Sequence, residues 1–229
     1  MAGVILLSGG LDSTVAMASF LAEYETGLAL TFDYGQRAAK QELHTSQAIA
    51  LHYGVEHHIV KLPFLGEITK TSLVNRDQEV PTLEMADLDK VLEVTLETAE
   101  KVWVPNRNGL FVNVAAAYAE SLGYQHVVTG FNAEEAVTFP DNSPQFVAAI
   151  TGSLAFSTLN GVKLLSPTQN LNKMEIVDLG MKLGIPWDKL WSCYHSGEKM
   201  CGQCESCQRL KRALTAQGHQ KLADQLFAI

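Results

Sequence analysis

Val4-Ile5-Leu6-Leu7-Ser8-Gly9-Gly10-Leu11-Asp12-Ser13-Thr14-Val15-Ala16-Met17 decides how the rest of the chain is read. Val4 to Leu7 is a short β-branched and leucine run, the mark of a strand buried on both faces in a parallel sheet. From Thr14 to Tyr24, Val15, Met17, Ala18 and Leu21 fall at helical spacing. The glycine-serine segment between them occupies a strand-to-helix junction, where open α/β sheets bind ligands. Two adjacent glycines let backbone come close to an anion, and the helix N-terminus offers N–H groups and a positive dipole. The hydroxyls of Ser8, Ser13 and Thr14 add donors. Asp12 suits either a Mg²⁺ ion or a helix cap, and a plain glycine-serine turn with an aspartate N-cap is the competing reading. The segment has neither the G-x-x-x-x-G-K-[ST] pattern nor the third glycine of a dinucleotide fingerprint.

Working outward, strand and helix patterns alternate. Leu28 to Phe32 reads as a strand, Ala38 to Tyr53 as a helix stopped by Gly54, and Glu56 to Val60 as a strand. The alternation resumes with a helix over Leu110 to Leu122, a strand at His126 to Thr129 and a helix over Gln145 to Leu159. A strand at Lys163 to Leu165 and a helix from Asn172 to Leu183 complete it. This order predicts an α/β fold: an open, mostly parallel twisted sheet with helices on both faces. One α/β domain is expected over residues 1–190, with residues 191–229 a cysteine knuckle and C-terminal helix packed on the same unit. Residues 62–104 break the pattern, and from Glu79 to Lys101 they carry seven carboxylates against two lysines. They read as a solvated helix-loop excursion or as a lid. Lys173 begins the last of these helices, where it either reaches the phosphate site or is a solvated first-turn lysine.

With 229 residues, 47% apolar and 18% charged, the chain can bury one substantial core. A formal net charge of -8 disfavours a large nucleic-acid surface. Arg209, Lys211, Arg212 and Lys221 gather on a predicted helix, where they read as a solvated face rather than a nucleic-acid patch. The short apolar start is not a signal peptide, and no run approaches the roughly 18 apolar residues of a membrane span. A cytoplasmic protein is expected.

All four cysteines lie at Cys193, Cys201, Cys204 and Cys207, spaced C-x7-C-x2-C-x2-C. Four thiolates this close suit a closed tetrahedral Zn²⁺ ion with a structural role, one per chain. An iron–sulfur cluster is the chemical alternative, and His195 could substitute for one thiolate. Gly197 and Gly202 supply turns, and Arg209 and Lys211 could offset part of the thiolate charge.

The S-G-G-x-D-S loop after the first strand resembles that of the PP-loop ATP pyrophosphatases, which release pyrophosphate and pass AMP to a substrate oxygen. With every thiol assigned to metal, none is left to hydrolyse glutamine or carry sulfur, so free ammonia is the simplest nitrogen source. Further motifs are Phe32-Asp33-Tyr34-Gly35-Gln36-Arg37, Val104-Pro105-Asn106-Arg107-Asn108 and the cysteine knuckle. Together they resemble the 7-cyano-7-deazaguanine synthase family nearly end to end. The resemblance implies ATP-dependent conversion of 7-carboxy-7-deazaguanine and ammonia, through an adenylate and an amide, to the nitrile used in queuosine biosynthesis. It also implies a homodimer with Mg²⁺-ATP as cosubstrate. The family's ATP segment maps onto Leu7, Ser8, Gly9, Gly10, Leu11, Asp12, Ser13, Thr14, Val15, Ala16 and Met17. Asp12, Ser13 and Lys173 are the candidate catalytic residues, and Arg107, Asn108, Phe131, Asn132 and Asp141 the candidate substrate residues. Where the family usually has Tyr-Pro-Asp-Cys-Arg, this chain reads Phe139-Pro140-Asp141-Asn142-Ser143-Pro144, and Glu134 and Glu135 stand where the family more often has an aspartate. The alternatives are a PP-loop enzyme adenylating a related acceptor or a tRNA base, and a non-catalytic ATP-sensing module.

Overall fold

A computed structural model describes residues 2–24, 26–82 and 99–228. The central strand is β1 (Ala2–Leu6), which pairs in parallel with β2 (Thr26–Asp33) on one side and β4 (His126–Val128) on the other. Beyond them, β3 (Glu56–Lys61) and β5 (Lys163–Leu165) form the two edges, giving the order β3-β2-β1-β4-β5. All five strands are parallel, as alternation of strand and helix requires. The edge strand β3, Glu56-His57-His58-Ile59-Val60-Lys61, is the polar one, which suits an unpaired border.

The two-residue period of a strand divides the core in two. Ile5, Ala29 and Val128 point to one face, under α1 (Leu11–Glu23), α2 (Ala39–His52) and α6 (Lys173–Leu183). Val4, Leu28, Leu30, Val127 and Leu164 point to the other. That face is covered by α3 (Pro63–Ile68), α4 (Arg107–Ser121) and α5 (Pro144–Ser157). The chain runs from β1 outward to β3 along one face, then crosses to β4 on the far side of β1. The strand order therefore reverses between β1 and β4, the place where α/β sheets open a ligand crevice at their C-terminal edge.

Local signals set the helix ends. Asn172 and Glu175 form a reciprocal capping box at the start of α6, and Gly184 closes it in the left-handed region at φ 63°. Ser143 caps α5 ahead of Pro144. The single C-terminal helix expected from sequence is two helices, α7 (Glu205–Ala216) and α8 (Gln220–Leu226), separated by Gly218 at φ 79°. Leu210, Leu214 and Phe227 from this end join the same apolar cluster as Ile5, Leu11 and Val15. The acidic stretch read as an excursion or lid is described only in part, and its residues 83–98 lie outside the described residues. Before them, Thr82 bridges to Cys204.

Candidate active site

Two residues after β4, Gly130 lies against the start of α1, and glycine is obligatory there. A Cβ on Gly130 would stand 2.6 Å from the carbonyl carbon of Asp12 and from the Ser13 nitrogen. Gly9 adopts φ 81°, and a Cβ there would collide with the Thr45 hydroxyl. The loop is held from the C-terminal side: the Trp191 N–H donates to the Gly9 carbonyl at 2.8 Å, and the Leu11 N–H donates to Ser192 Oγ at 3.3 Å. Thr14 Oγ1 donates to the Gly10 carbonyl at 2.7 Å. The N-cap Gly10 offers no side chain, and Asp12 lies inside the first turn, so the aspartate-capped turn is not what forms. Among the described residues, no protein acceptor takes the N–H groups of Asp12 and Ser13. Leu7, Ser8, Gly10, Leu11, Asp12 and Ser13 line a cavity of about 290 Å³, while Thr14, Val15, Ala16 and Met17 are buried.

Lys173 enters the same cavity, 6% exposed rather than solvated. Its Nζ donates to Asp12 Oδ2 at 2.6 Å and to Glu135 Oε1 at 3.0 Å. Burial works against the ammonium, but the Asp12 and Glu135 carboxylates outweigh it and hold Lys173 protonated above its usual range. Glu135 stays ionised because Lys173 and then Arg209 overcome its burial. Asp12 is the carboxylate that burial disfavours: it is pushed up to about 6 despite Lys173, with Glu135 adding repulsion. Its Oδ1 is buried with no hydrogen-bond partner. An orphaned carboxylate oxygen beside unpaired helix N–H groups fits a divalent cation carrying phosphate oxygens.

Behind this trio lies a second layer. Arg209 Nη1 donates to Glu134 Oε1 at 2.6 Å and Arg209 Nη2 donates to Glu205 Oε1 at 2.8 Å, while Arg212 Nη2 reaches the same Glu134 oxygen at 2.8 Å. Glu134 Oε2 in turn accepts the Lys173 backbone N–H at 3.3 Å. The expectation of a solvated basic face therefore fails for Arg209 and Arg212, because α7 turns them inward onto glutamates that sequence distance conceals. Arg209 is neutralised by Glu134 and Glu205 rather than by thiolates.

The cavity extends past β1 to the end of β2. There Arg107 Nη1 donates to the Tyr34 hydroxyl at 3.4 Å, and Phe32 stacks on Phe111 with ring centroids 4.0 Å apart. Arg107, Asn108 and Phe131 line the cavity, as do Phe139 and Asn142 from the departing loop. Asn108 Nδ2 donates to the Asp141 carbonyl at 3.4 Å. Asp141 itself and Asn132 do not reach the wall. Asn132 is fully buried, and its Oδ1 accepts the Glu135 N–H at 2.8 Å, which orients the turn that carries Glu135.

The four sulfur atoms lie within 4.8 Å of one another, with Cys201 and Cys207 Sγ at 3.8 Å and Cys193 and Cys204 Sγ at 4.0 Å. Four thiolates at about 2.3 Å from one tetrahedral ion stand about 3.8 Å apart, so the cluster fits a single metal. Backbone N–H groups of His195 and Cys201 donate to Cys193 Sγ, and those of Gln203 and Cys204 to Cys201 Sγ, at 3.3–3.4 Å. His195 is not a fourth ligand; its carbonyl accepts the Trp191 indole N–H at 3.1 Å.

The family model of queuosine biosynthesis protein QueC matches residues 2–218. The chain belongs to the QueC family. It is 56% identical over 210 residues to a 7-cyano-7-deazaguanine synthase of Carboxydothermus hydrogenoformans, covering 92% of this chain and 96% of that relative. Identity to the synthase of Pelotomaculum thermopropionicum is 54% over 220 residues, covering 96% of this chain and 99% of that relative, and to that of Desulforudis audaxviator 53% over 218 residues, covering 95% and 98%. In this QueC chain the sequence reading gave no site role to Glu135, Glu134, Tyr34 or Glu42: Glu134 and Glu135 stood out only as departures from the family pattern, and Tyr34 only as part of Phe32-Asp33-Tyr34-Gly35-Gln36-Arg37. Arg209 read as part of a solvated basic face or a partner of the thiolates, and nothing in periodicity or spacing marked Glu42.

Proposed function

We propose that the chain converts 7-carboxy-7-deazaguanine and ammonia to 7-cyano-7-deazaguanine with consumption of ATP. One observation carries the reading: the unpartnered N–H groups of Asp12 and Ser13 and the unpartnered Asp12 Oδ1 belong to the same cavity wall as Lys173, in a chain of the QueC family. The substrate carboxylate oxygen attacks the α-phosphorus of ATP and pyrophosphate leaves. Ammonia then attacks the activated carbonyl carbon, AMP departs and the amide forms. The amide oxygen then attacks the α-phosphorus of a second ATP and a second pyrophosphate leaves; loss of one N–H proton gives the adenylated imidate, and loss of AMP with the remaining N–H proton leaves the nitrile.

The chain's groups have distinct parts in this. The α1 N-terminus binds phosphate oxygens, and the Lys173 ammonium offsets charge on the departing pyrophosphate. Asp12 in its ionised form, with its unpartnered Oδ1, would be the residue to hold Mg²⁺, and that ion would supply Lewis-acid stabilisation of phosphate charge. Glu135 and the Glu134–Arg209 pair keep Lys173 charged and aimed at Asp12. Arg107, Asn108 and Phe131 take the acceptor ring. The cysteines hold structural Zn²⁺: an iron–sulfur cluster spreads its thiolates over several irons, whereas these sulfurs have the spacing of one tetrahedron. Free ammonia is the nitrogen source, because all four thiols of the chain are in the knuckle. A cytoplasmic homodimer completes the proposal. Incubation of the metal-loaded protein with ATP, Mg²⁺, ammonium and 7-carboxy-7-deazaguanine should yield amide and nitrile masses; well-folded protein that yields neither defeats the assignment.

A further inference from the structure

Glu42, in the first turn of α2, is an acidic side chain that the reaction above does not use. It lines the cavity where the cavity passes over β2, next to Tyr34 and Arg107. Gln36 fixes it: Gln36 Nε2 donates to Glu42 Oε2 at 2.7 Å and to the Phe32 carbonyl at 2.9 Å, while the Tyr34 N–H donates to Gln36 Oε1 at 3.0 Å. The carboxylate is thus pinned to the end of β2 by a side chain that is itself pinned at both ends. Among the described residues, Glu42 Oε1 has no hydrogen-bond partner and no cation pairs with Glu42. Arg107 is near enough to be felt electrostatically, yet among the described residues its guanidinium forms no ion pair and its one hydrogen bond is the long contact to Tyr34. A half-buried carboxylate and a half-buried guanidinium that stand near one another in the cavity wall without a direct ion pair are each left to bind a complementary group of a ligand.

The pattern they offer is specific. In its ionised form Glu42 presents acceptors only, while Arg107 beside it presents donors only. A 2-amino-lactam edge of a purine-like ring carries an amino group, a ring N–H and a carbonyl oxygen in a row, so two donors adjoin one acceptor. The adenine edge places an acceptor nitrogen directly beside its amino group and would turn a lone pair toward the second carboxylate oxygen. The neighbouring Phe32 and Phe111 rings supply apolar surface for a flat bicycle. From the Asp12 and Lys173 end over β1 and β4 to this end over β2 is about two strand spacings, roughly 10 Å. A ring recognised here can therefore extend its reactive substituent toward the phosphate loop.

We propose that Glu42 is the specificity-determining residue for the acceptor, accepting hydrogen bonds from the ring N–H and 2-amino group of the lactam edge while Arg107 donates to its carbonyl oxygen. The inference rests on the proposed function for the identity of the reaction, and on the cavity alone for the kind of ring.

The test uses the full, metal-loaded chain with ATP, Mg²⁺ and ammonium, and compares 7-carboxy-7-deazaguanine with the same ring lacking its 2-amino group. Removing the amino group should raise the acceptor KM of the unaltered protein about 10- to 100-fold, since a carboxylate in the cavity wall loses a partner. Glu42→Gln should raise the KM of the amino-bearing ring by a similar factor and reduce discrimination between the rings to about threefold or less, with the ATP KM changed by less than about twofold. Glu42→Asp should restore part of the discrimination. If the unaltered protein treats both rings alike, the proposal is overturned, and that arm needs no variant to fold. A shift confined to the ATP KM overturns it too, by assigning Glu42 to adenine. If no amide or nitrile forms from either ring, the reaction assignment fails separately. Equilibrium binding of free 7-deazaguanine and 7-deazahypoxanthine then decides: a preference of about tenfold for the former sustains the proposal, and equal binding ends it.

Discussion

The cysteine knuckle and the Asp12–Lys173–Glu135 cluster each gather like charges in a buried place, by opposite means. One segment from Cys193 to Cys207 supplies every sulfur, and nearby N–H groups point at them. The carboxylates at the phosphate loop are neutralised by a lysine 161 residues away from Asp12 and 38 from Glu135, backed by an arginine 75 residues beyond Glu134. Four thiolates around one ion would complete a tetrahedron and leave no position open. Among the described residues, the Asp12 cluster leaves one oxygen and two helix N–H groups unpartnered. Closure makes the first a source of stability, and incompleteness makes the second a place for chemistry.

Stripping the metal should break this contrast most severely. A structural zinc site contributes on the order of 10 kcal/mol, comparable to the whole stability of a domain. Chelation is expected to abolish the cooperative melt of the C-terminal end seen by circular dichroism, and turnover with it, because α7 carries Arg209. An unchanged melting curve in metal-free protein would show the cluster to be dispensable.

Arg209→Met comes next. Glu134 and Glu205 would stay buried without their cation, which costs about 3–5 kcal/mol. Urea unfolding should record that loss while metal analysis still finds a filled knuckle. A loss below about 1 kcal/mol would mean that Arg212 alone suffices for Glu134.

Asp12→Asn separates function from stability. Burial raises the native Asp12 pKa to about 6 from its ordinary 3.8, so the native state holds this proton more tightly than the unfolded chain. Its contribution to stability is full below about 4 and is lost as pH rises to about 6. Asparagine removes that dependence. The variant should gain about 3 kcal/mol over the unaltered protein at pH 8 and little near pH 4, while nearly all turnover disappears. Activity of the unaltered protein should rise through about pH 6 as Asp12 ionises. Equal stability of the two proteins at pH 8 would refute the strained carboxylate.

Lys189→Ala provides the small end of the scale. Its 2.9 Å pair with Asp188 is solvent-facing, and Asp188 is 76% exposed, so urea unfolding should shift by less than about 0.5 kcal/mol. A larger loss would show that exposed pairs matter here as buried ones do.

Much of this was readable from neighbouring residues. The apolar run into Ser8-Gly9-Gly10 announced β1 and the loop, and strand-helix alternation announced a parallel sheet whose boundaries shifted by only a few residues. The cysteine spacing announced a metal-suited cluster, since ligands so close in sequence can meet whatever the fold does elsewhere. The order of strands, the reversal beside β1 and the need for glycine at Gly130 were decided by tertiary packing. So were the buried state of Lys173, its partners Asp12 and Glu135, the inward turn of Arg209, and Glu42 on the wall beside Arg107. Propensity, periodicity and motif spacing act over a few residues along the chain, whereas these pairings exist only because the crossover from β3 to β4 folds distant segments onto one sheet edge.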